Sequence, residues 1–331
     1  MPAQIPPEAQ SIGRARGRLS ASSLTSFLRC QNEWFLNYRI GLRGPLSPHQ
    51  VMGIEVEDAL CSILMHRCPS ITSFEELVEW VIALVPEHAK SALNKGRETF
   101  ENSMWNSGVF DDHFDEEKIA MMLTNGINLQ LEEVKNCYNS GGGIHEFDVP
   151  APCWENPPHF TQPHKANSMV VWKDNPHNFS DQITWQDAWE IARPWVKDPR
   201  NPEPQRMYHK DRWASGECDL VLRWDGRIRI IDIKMGDGQG AFASSLDAQL
   251  NFYAWLWNET HDISCDGLEG WYLTNGLRKV VEVEPLKTEE YRAIHDKMKS
   301  WDCDNSLPIA SPCKSAVSYT HLRAHETSAN L

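Results

Sequence analysis

Apolar positions recur at helical spacing through the first 140 residues of the chain and switch to strand spacing after Trp213. Leu24, Phe27, Leu28, Gln31, Trp34, Phe35 and Tyr38 fall three to four apart and predict an opening helix. Ser20 or Ser22 is placed to cap it and Gly41 to close it. Val51, Ile54, Leu60 and Leu64 predict a second helix over Gln50–Met65. Residues 73–138 read as helical, with one stripe of Phe74, Leu77, Val78 and Val81 and another of Leu123, Ile127, Leu131, Val134 and Tyr138. Gly141–Gly143 break the pattern. Residues 144–182 and 198–206 are rich in Pro, His, Asn and Trp and read as irregular, with one or two short strands such as Ser168–Trp172. Thr184 caps a short helix carrying Trp185, Ala188, Trp189 and Ala192, which Pro194 ends.

Strands follow. Cys218–Arg223 and Arg227–Met235 flank Asp225-Gly226, a strong hairpin signal. A helix over Ser245–Trp257, strands over Gly267–Thr274 and Arg278–Val283, and a helix over Lys287–Trp301 complete the order. Helices first and then β-β-α-β-β-α predict a mixed α/β (α+β) fold with a central mixed sheet flanked by helices. The expected organisation is a disordered tail over 1–18, one domain over 19–305 with a helical, Trp-rich insertion at about 66–205, and a C-terminal tail over 306–331.

Composition adds bounds. With 331 residues and 41% hydrophobic positions, an ordinary core is affordable. The longest uncharged apolar runs, Ala59–Met65 and Trp80–Val85, are too short to cross a bilayer. The first residues lack a basic region followed by an apolar run, and the nine cysteines form no C-x-x-C pair, so an intracellular, reducing location is expected. The net charge of −14 argues against a protein that coats nucleic acid non-specifically. The surplus is local, however. Residues 70–135 hold 13 acidic and 5 basic side chains, whereas 205–240 hold 6 and 7, which leaves room for a basic groove. Arg14, Arg16 and Arg18 read as a solvated tail or as an arm touching phosphates. The 14 tryptophans read mainly as core, with a few available as stacking platforms for bases.

The chemistry concentrates between Gly216 and Lys234. Strand alternation puts Ile228, Ile230, Asp232 and Lys234 on one face, the first two turning it inward and the last two ending it in charge. Asp219, on the antiparallel neighbour, comes within reach of Asp232. Two such carboxylates raise each other's pKa unless a cation binds between them, and hard oxygen ligands favour Mg²⁺ or Mn²⁺. The plainer alternative is a structural Asp232–Lys234 ion pair.

This first acidic residue and D-x-K triplet resemble the signature of the PD-(D/E)XK nuclease superfamily, and within it the RecB-type exonuclease domain. Gly53-Ile-Glu-Val-Glu57 resembles the family's upstream G-x-x-x-(H/E), with Glu55 the alternative ligand. Gln249-Leu-Asn-Phe-Tyr253 resembles its Q-x-x-x-Y helix, although core and capping roles are the alternative. Leu19-Ser-Ala-Ser22, Cys30 and Trp34 to Tyr38 resemble its opening helix. The resemblance implies a restriction-endonuclease-like core and a metal-dependent deoxyribonuclease, an exonuclease by subtype, acting in repair, recombination or replication.

By the same resemblance Glu57, Asp219 and Asp232, with the Ile233 carbonyl, hold Mg²⁺ or Mn²⁺, and Lys234 orients the attacking water. Gln249, Tyr253, Ser20 and Ser22 meet DNA, and a helicase is the expected partner. It also implies a 4Fe–4S cluster through Cys30 and a C-terminal trio. Cys313 resembles the start of that trio, but the cysteines expected after it are absent, and Cys303 is a poor substitute. Residues 316–331, with His321 and His325, resemble a non-native, adapter-derived tail. Two other functions remain open: a catalytically silent DNA-binding adaptor and an RNA nuclease.

Overall fold

The computed structural model describes residues 17–40, 44–141, 183–196, 207–239, 245–261 and 264–303. Arg14, Arg16, Gly41, the strand expected at Ser168–Trp172, Cys313 and the tail 316–331 lie outside them. Two compact units divide the chain: Met1–Pro45 with Tyr208–Gly216 and Pro285–Leu331, and Leu46–Met207 with Glu217–Glu284.

The second unit contains a helical layer and the main sheet. Its helices are α3 (Pro48–Leu64), α4 (Phe74–Ile82), α5 (Val85–Glu101), α6 (Glu116–Asn139) and α7 (Trp185–Ala192). Side-chain caps set the starts: Ser47 exchanges bonds with Gln50, Ser73 and Asp115 accept from Glu76 and Lys118, and Thr184 exchanges bonds with Asp187. The continuous helix expected over 73–138 is therefore three. One reason is that Asp115 offers its carboxylate to the Lys118 N–H and opens α6 afresh.

The five-stranded sheet has the order β1-β4-β5-β6-β7, from β1 (Trp195–Val196), β4 (Leu220–Leu222), β5 (Arg229–Lys234), β6 (Gly267–Tyr272) and β7 (Leu277–Val281). Only β5–β6 is parallel, joined through α8 (Leu246–His261), so the sheet is mixed, as expected. The Asp-Gly turn is present: Gly226 stands at φ 77°, where a side chain would be strained, and donates to the Arg223 carbonyl. β1 was not foreseen, because Pro194 signalled only the end of α7.

Both faces of the sheet carry buried side chains. Ile231 and Ile233, beside Leu220 and Leu222, pack into the core with Val56 and Leu60 of α3, Leu123 and Ile127 of α6, and Trp189. On the opposite face Gly270 lies beside Asp232 in register and close under α8; a Cβ there would stand 2.6 Å from Leu246. The described parts of the 66–205 stretch thus supply much of the core. Ile54 is 56% exposed, because it lies across α3 from the buried Met52 and Val56. Twelve of the 13 acidic residues between 70 and 135 are exposed; the exception is Glu133. Arg229, expected to border a groove, instead turns inward onto Glu133 and Glu269.

The first unit holds α1 (Ala21–Arg29), α2 (Gln31–Trp34) running into a π-helical stretch (Phe35–Ile40), and α9 (Thr288–Cys303). Strands β2 (Met207–Tyr208) and β3 (Ser215–Gly216) pair around a turn, and Leu19 bridges in parallel to Ala214. Ser20 caps α1 through a reciprocal bond with Ser23. Leu24 and Phe27 are buried as expected, but Leu28 is 55% exposed. No described helix is long and apolar enough to cross a membrane.

Candidate active site

The site forms at the C-terminal end of β5. α3, in contact with β5, carries Glu57 one position after the buried Val56, which leaves the carboxylate half-buried at the rim of the core. Asp219 directly precedes β4, so its side chain is not committed to sheet alternation. Its Oδ2 accepts the Ile233 N–H at 2.8 Å. Asp232 is 2% exposed; its Oδ1 accepts from Gln249 Nε2 at 2.7 Å, and its Oδ2 stands 2.5 Å from Lys234 Nζ. Lys234 follows two residues later on the same strand face, its side chain 35% exposed, and forms the boundary between the buried carboxylates and solvent.

The acids at this site act on one another. Burial raises the Asp219 carboxyl well above its ordinary range, and the negative charges of Glu57 and Asp232 raise it further, against the opposing Lys234 ammonium and Ile233 N–H. Burial also raises Asp232, with Lys234 pulling the other way. Burial works to lower Lys234, yet Asp232, Asp219 and Glu57 outweigh it and hold its pKa up. Three carboxylates thus share one ammonium.

Gln249 and Tyr253 stand one turn apart on α8, beneath Asp232. Gln249 Nε2 also reaches the Tyr253 hydroxyl at 3.4 Å. Burial first, and then Asp232 and Asp219, push the Tyr253 hydroxyl well up, so it stays protonated at neutral pH. The amide of Gln249 is therefore spent on orienting a carboxylate.

Of the residues singled out in the sequence, Glu57, Asp219, Asp232, Lys234, Gln249 and Tyr253 come together. Ser20 and Ser22 belong to the other compact unit, where the Ser20 hydroxyl is engaged in capping. Cys30 is buried at the extended break between α1 and α2; Cys313 lies outside the described residues. One neighbour was not foreseen. Tyr272 pairs in register with Lys234 across the parallel β5–β6 ladder and is 5% exposed. Burial raises its hydroxyl pKa, and Lys234 and Asp232 are among the charges that act on it. Alternation in the Gly267–Thr274 stretch gave its face, but nothing in the sequence gave the strand beside it.

Among the described residues no three His, Cys, Asp or Glu side chains stand as a ready-made metal-binding group. The physical reason is visible: the Lys234 ammonium occupies Asp232, and Asp219 is turned onto the Ile233 N–H. The donor chemistry nevertheless fits a hard divalent cation, since burial raises both Asp219 and Asp232 despite the opposing Lys234 ammonium.

No protein-family model matches the chain. No curated protein matches it either.

Proposed function

We propose that this chain is a divalent-metal-dependent nuclease of the PD-(D/E)XK superfamily, RecB-type, hydrolysing phosphodiester bonds in DNA. In this reading the mixed sheet with its flanking helices is a restriction-endonuclease-like core. One observation supports it above the others: Glu57, Asp219, Asp232 and Lys234, from three separate stretches of chain, act electrostatically on one another at the end of one strand. A structural ion pair needs two residues. Asp219 and Asp232, both with pKa values raised by burial, are costly to ionise, and a divalent cation between them would offset that cost.

Glu57, Asp219 and Asp232, with the Ile233 carbonyl, would hold Mg²⁺ or Mn²⁺. Such an ion supplies charge neutralisation and polarisation at the scissile phosphate. Gln249 holds Oδ1 of the Asp232 carboxylate, which leaves Oδ2 facing Lys234. The Lys234 ammonium, held protonated by its three neighbours, orients water and steadies the extra negative charge of the phosphorane-like transition state.

The test is degradation of end-labelled single-stranded DNA, duplex DNA and RNA by the full chain with Mg²⁺, Mn²⁺ or EDTA. Metal-dependent loss of DNA label is expected. Cleavage in EDTA would overturn the metal role, and cleavage of RNA alone would move the substrate to RNA. Binding of DNA without cleavage under every metal would favour the silent adaptor.

A further inference from the structure

In the first unit two guanidinium groups are gathered on one aromatic ring. Arg18 stands 5.0 Å from the centre of the Tyr208 ring and Arg212 stands 5.5 Å from it. Arg18 Nε donates to the Arg212 carbonyl at 3.1 Å. Both arginines are exposed, and among the described residues neither makes an ion pair. Lys210, on the same turn, is exposed as well. The acid of the turn, Asp211, is directed elsewhere: its carboxylate lies 3.7 Å from Arg292 and 3.9 Å from His209.

The backbone fixes this arrangement. Leu19 N–H donates to the Trp213 carbonyl at 2.8 Å and Ser215 N–H to the Leu19 carbonyl at 2.9 Å, so the strand carrying Arg18 is laced to the hairpin carrying Arg212. The turn is closed by Arg212 N–H to His209 O at 2.7 Å and His209 N–H to Ala214 O at 3.1 Å. Arg212 itself stands at φ 59°, a left-handed conformation that an arginine adopts at a cost. Two like charges are thus held together without a carboxylate, by a backbone that pays strain to hold one of them. The Tyr208 ring face offsets part of their repulsion. An anion with paired acceptor oxygens offsets the rest, and guanidinium matches phosphate in this way better than any other side chain.

We infer that Arg18 and Arg212, arrayed on Tyr208 with Lys210 beside them, form a phosphodiester-binding site that takes the backbone of a nucleic-acid strand. The inference deepens the proposed function and rests on its identification of nucleic acid as substrate. An acidic protein segment is the competing occupant. Phosphate is favoured because three exposed cations, Arg18, Lys210 and Arg212, match the repeating negative charge of a nucleic-acid backbone.

The test measures binding of a labelled oligothymidylate by the full chain in EDTA, where cleavage plays no part, across a salt series. Arg212→Gly suits φ 59°, so it removes the charge without adding strain. Arg18→Gln removes the other charge. Each is expected to weaken binding roughly tenfold. The double variant should lower the slope of log affinity against log salt by about 1.4, at ~0.7 per single-strand phosphate contact. The thermal midpoint should stay close to wild type, and a double Arg→Lys variant should recover much of the slope.

Wild-type affinity and slope in the double variant would overturn the inference. So would absence of oligonucleotide binding by the wild type, or equal competition by polyglutamate. If the variants lose binding while the wild type cleaves nothing with Mg²⁺ or Mn²⁺, the phosphate site stands and the nuclease proposal fails. If the wild type cleaves and the variants bind unchanged, the outcome is the reverse.

Discussion

At the start of β5, Arg229 meets Glu133 at 2.5 Å and Glu269 at 3.1 Å, and Arg278 meets Glu133 at 2.5 Å. At the other end of the same strand, Asp232 and Lys234 meet Asp219 and Glu57. Both groups are buried in one unit. At the first, Asp225 also lies 3.6 Å from Arg229 and Glu132 3.5 Å from Arg278, and the indole N–H groups of Trp224 and Trp271 donate to Glu133 and Glu269 at 2.8 and 3.0 Å. At the second, Lys234 faces Asp232, Asp219 and Glu57, and the pKa values of both Asp232 and Asp219 are raised. Carboxylates held down by several charged donors are what packing alone produces. Raised carboxyls at a strand end, where side chains escape the core, are the pattern expected of a functional site.

The pKa shifts run in opposite directions, and so should the responses to pH. Burial works to raise Glu133, but the bonds from Arg229, Trp224 and Arg278 outweigh it and bring it down to about 2. Its folded pKa lies below the ordinary value of 4.5, so its stabilisation is present above 4.5 and is lost as pH falls toward 2. Asp219 is the reverse. Its folded pKa lies above 3.8, so stability falls as pH rises from 3.8 through the raised value.

The largest effect is expected at the Arg229 end. Glu133→Gln leaves the buried Arg229 short of its counter-charge and should cost about 3–5 kcal/mol in urea unfolding at neutral pH. A loss under 1 kcal/mol would mean that the network is not what holds β5 to α6. Next comes Asp232→Asn, which weakens the donor set for the cation. Cleavage should fall by about 10²–10³, on the order of 3–4 kcal/mol, and excess Mn²⁺ should restore part of it.

Asp219→Asn should do the opposite to stability. The amide oxygen still accepts the Ile233 N–H while the repulsion is gone, so the metal-free protein should gain about 1 kcal/mol at neutral pH and nothing below pH 3.8. A loss of stability would show that the acid is structural. The smallest effect belongs to Tyr253→Phe. Its contact with Gln249 is long, at 3.4 Å, and thermal unfolding should place the change within about 0.5 kcal/mol.

The sequence carried the Asp232–Lys234 end of β5 better than the Arg229 end. The D-x-K triplet, the Asp225-Gly226 turn and the i,i+4 spacing of Gln249 and Tyr253 are local signals, and each specifies which side chains share a face. Arg229 looked like a candidate for a basic groove, because alternation does not say that Glu133, 96 positions earlier, waits on α6 to receive it. Tyr272 was invisible for the same reason: a parallel neighbour is chosen by the crossover helix, not by either strand. The two-residue β1 carries too few positions to show a period. Leu28 and Ile54 read as core because they are apolar, yet they lie off the buried stripes of their helices. The gathering of 208–216 with the chain's two outer segments into one unit depends on tertiary pairing at Leu19 and Ala214, which no local pattern encodes.

The most direct measurement is single-turnover cleavage of end-labelled DNA with Mg²⁺ by wild type and Lys234→Ala, alongside DNA affinity of both in EDTA. In the proposed mechanism Lys234 acts on the attacking water and on transition-state charge, so cleavage should fall by about 10²–10³ with affinity nearly unchanged and no rescue by Mn²⁺. Cleavage by Lys234→Ala at the wild-type rate would contradict the account.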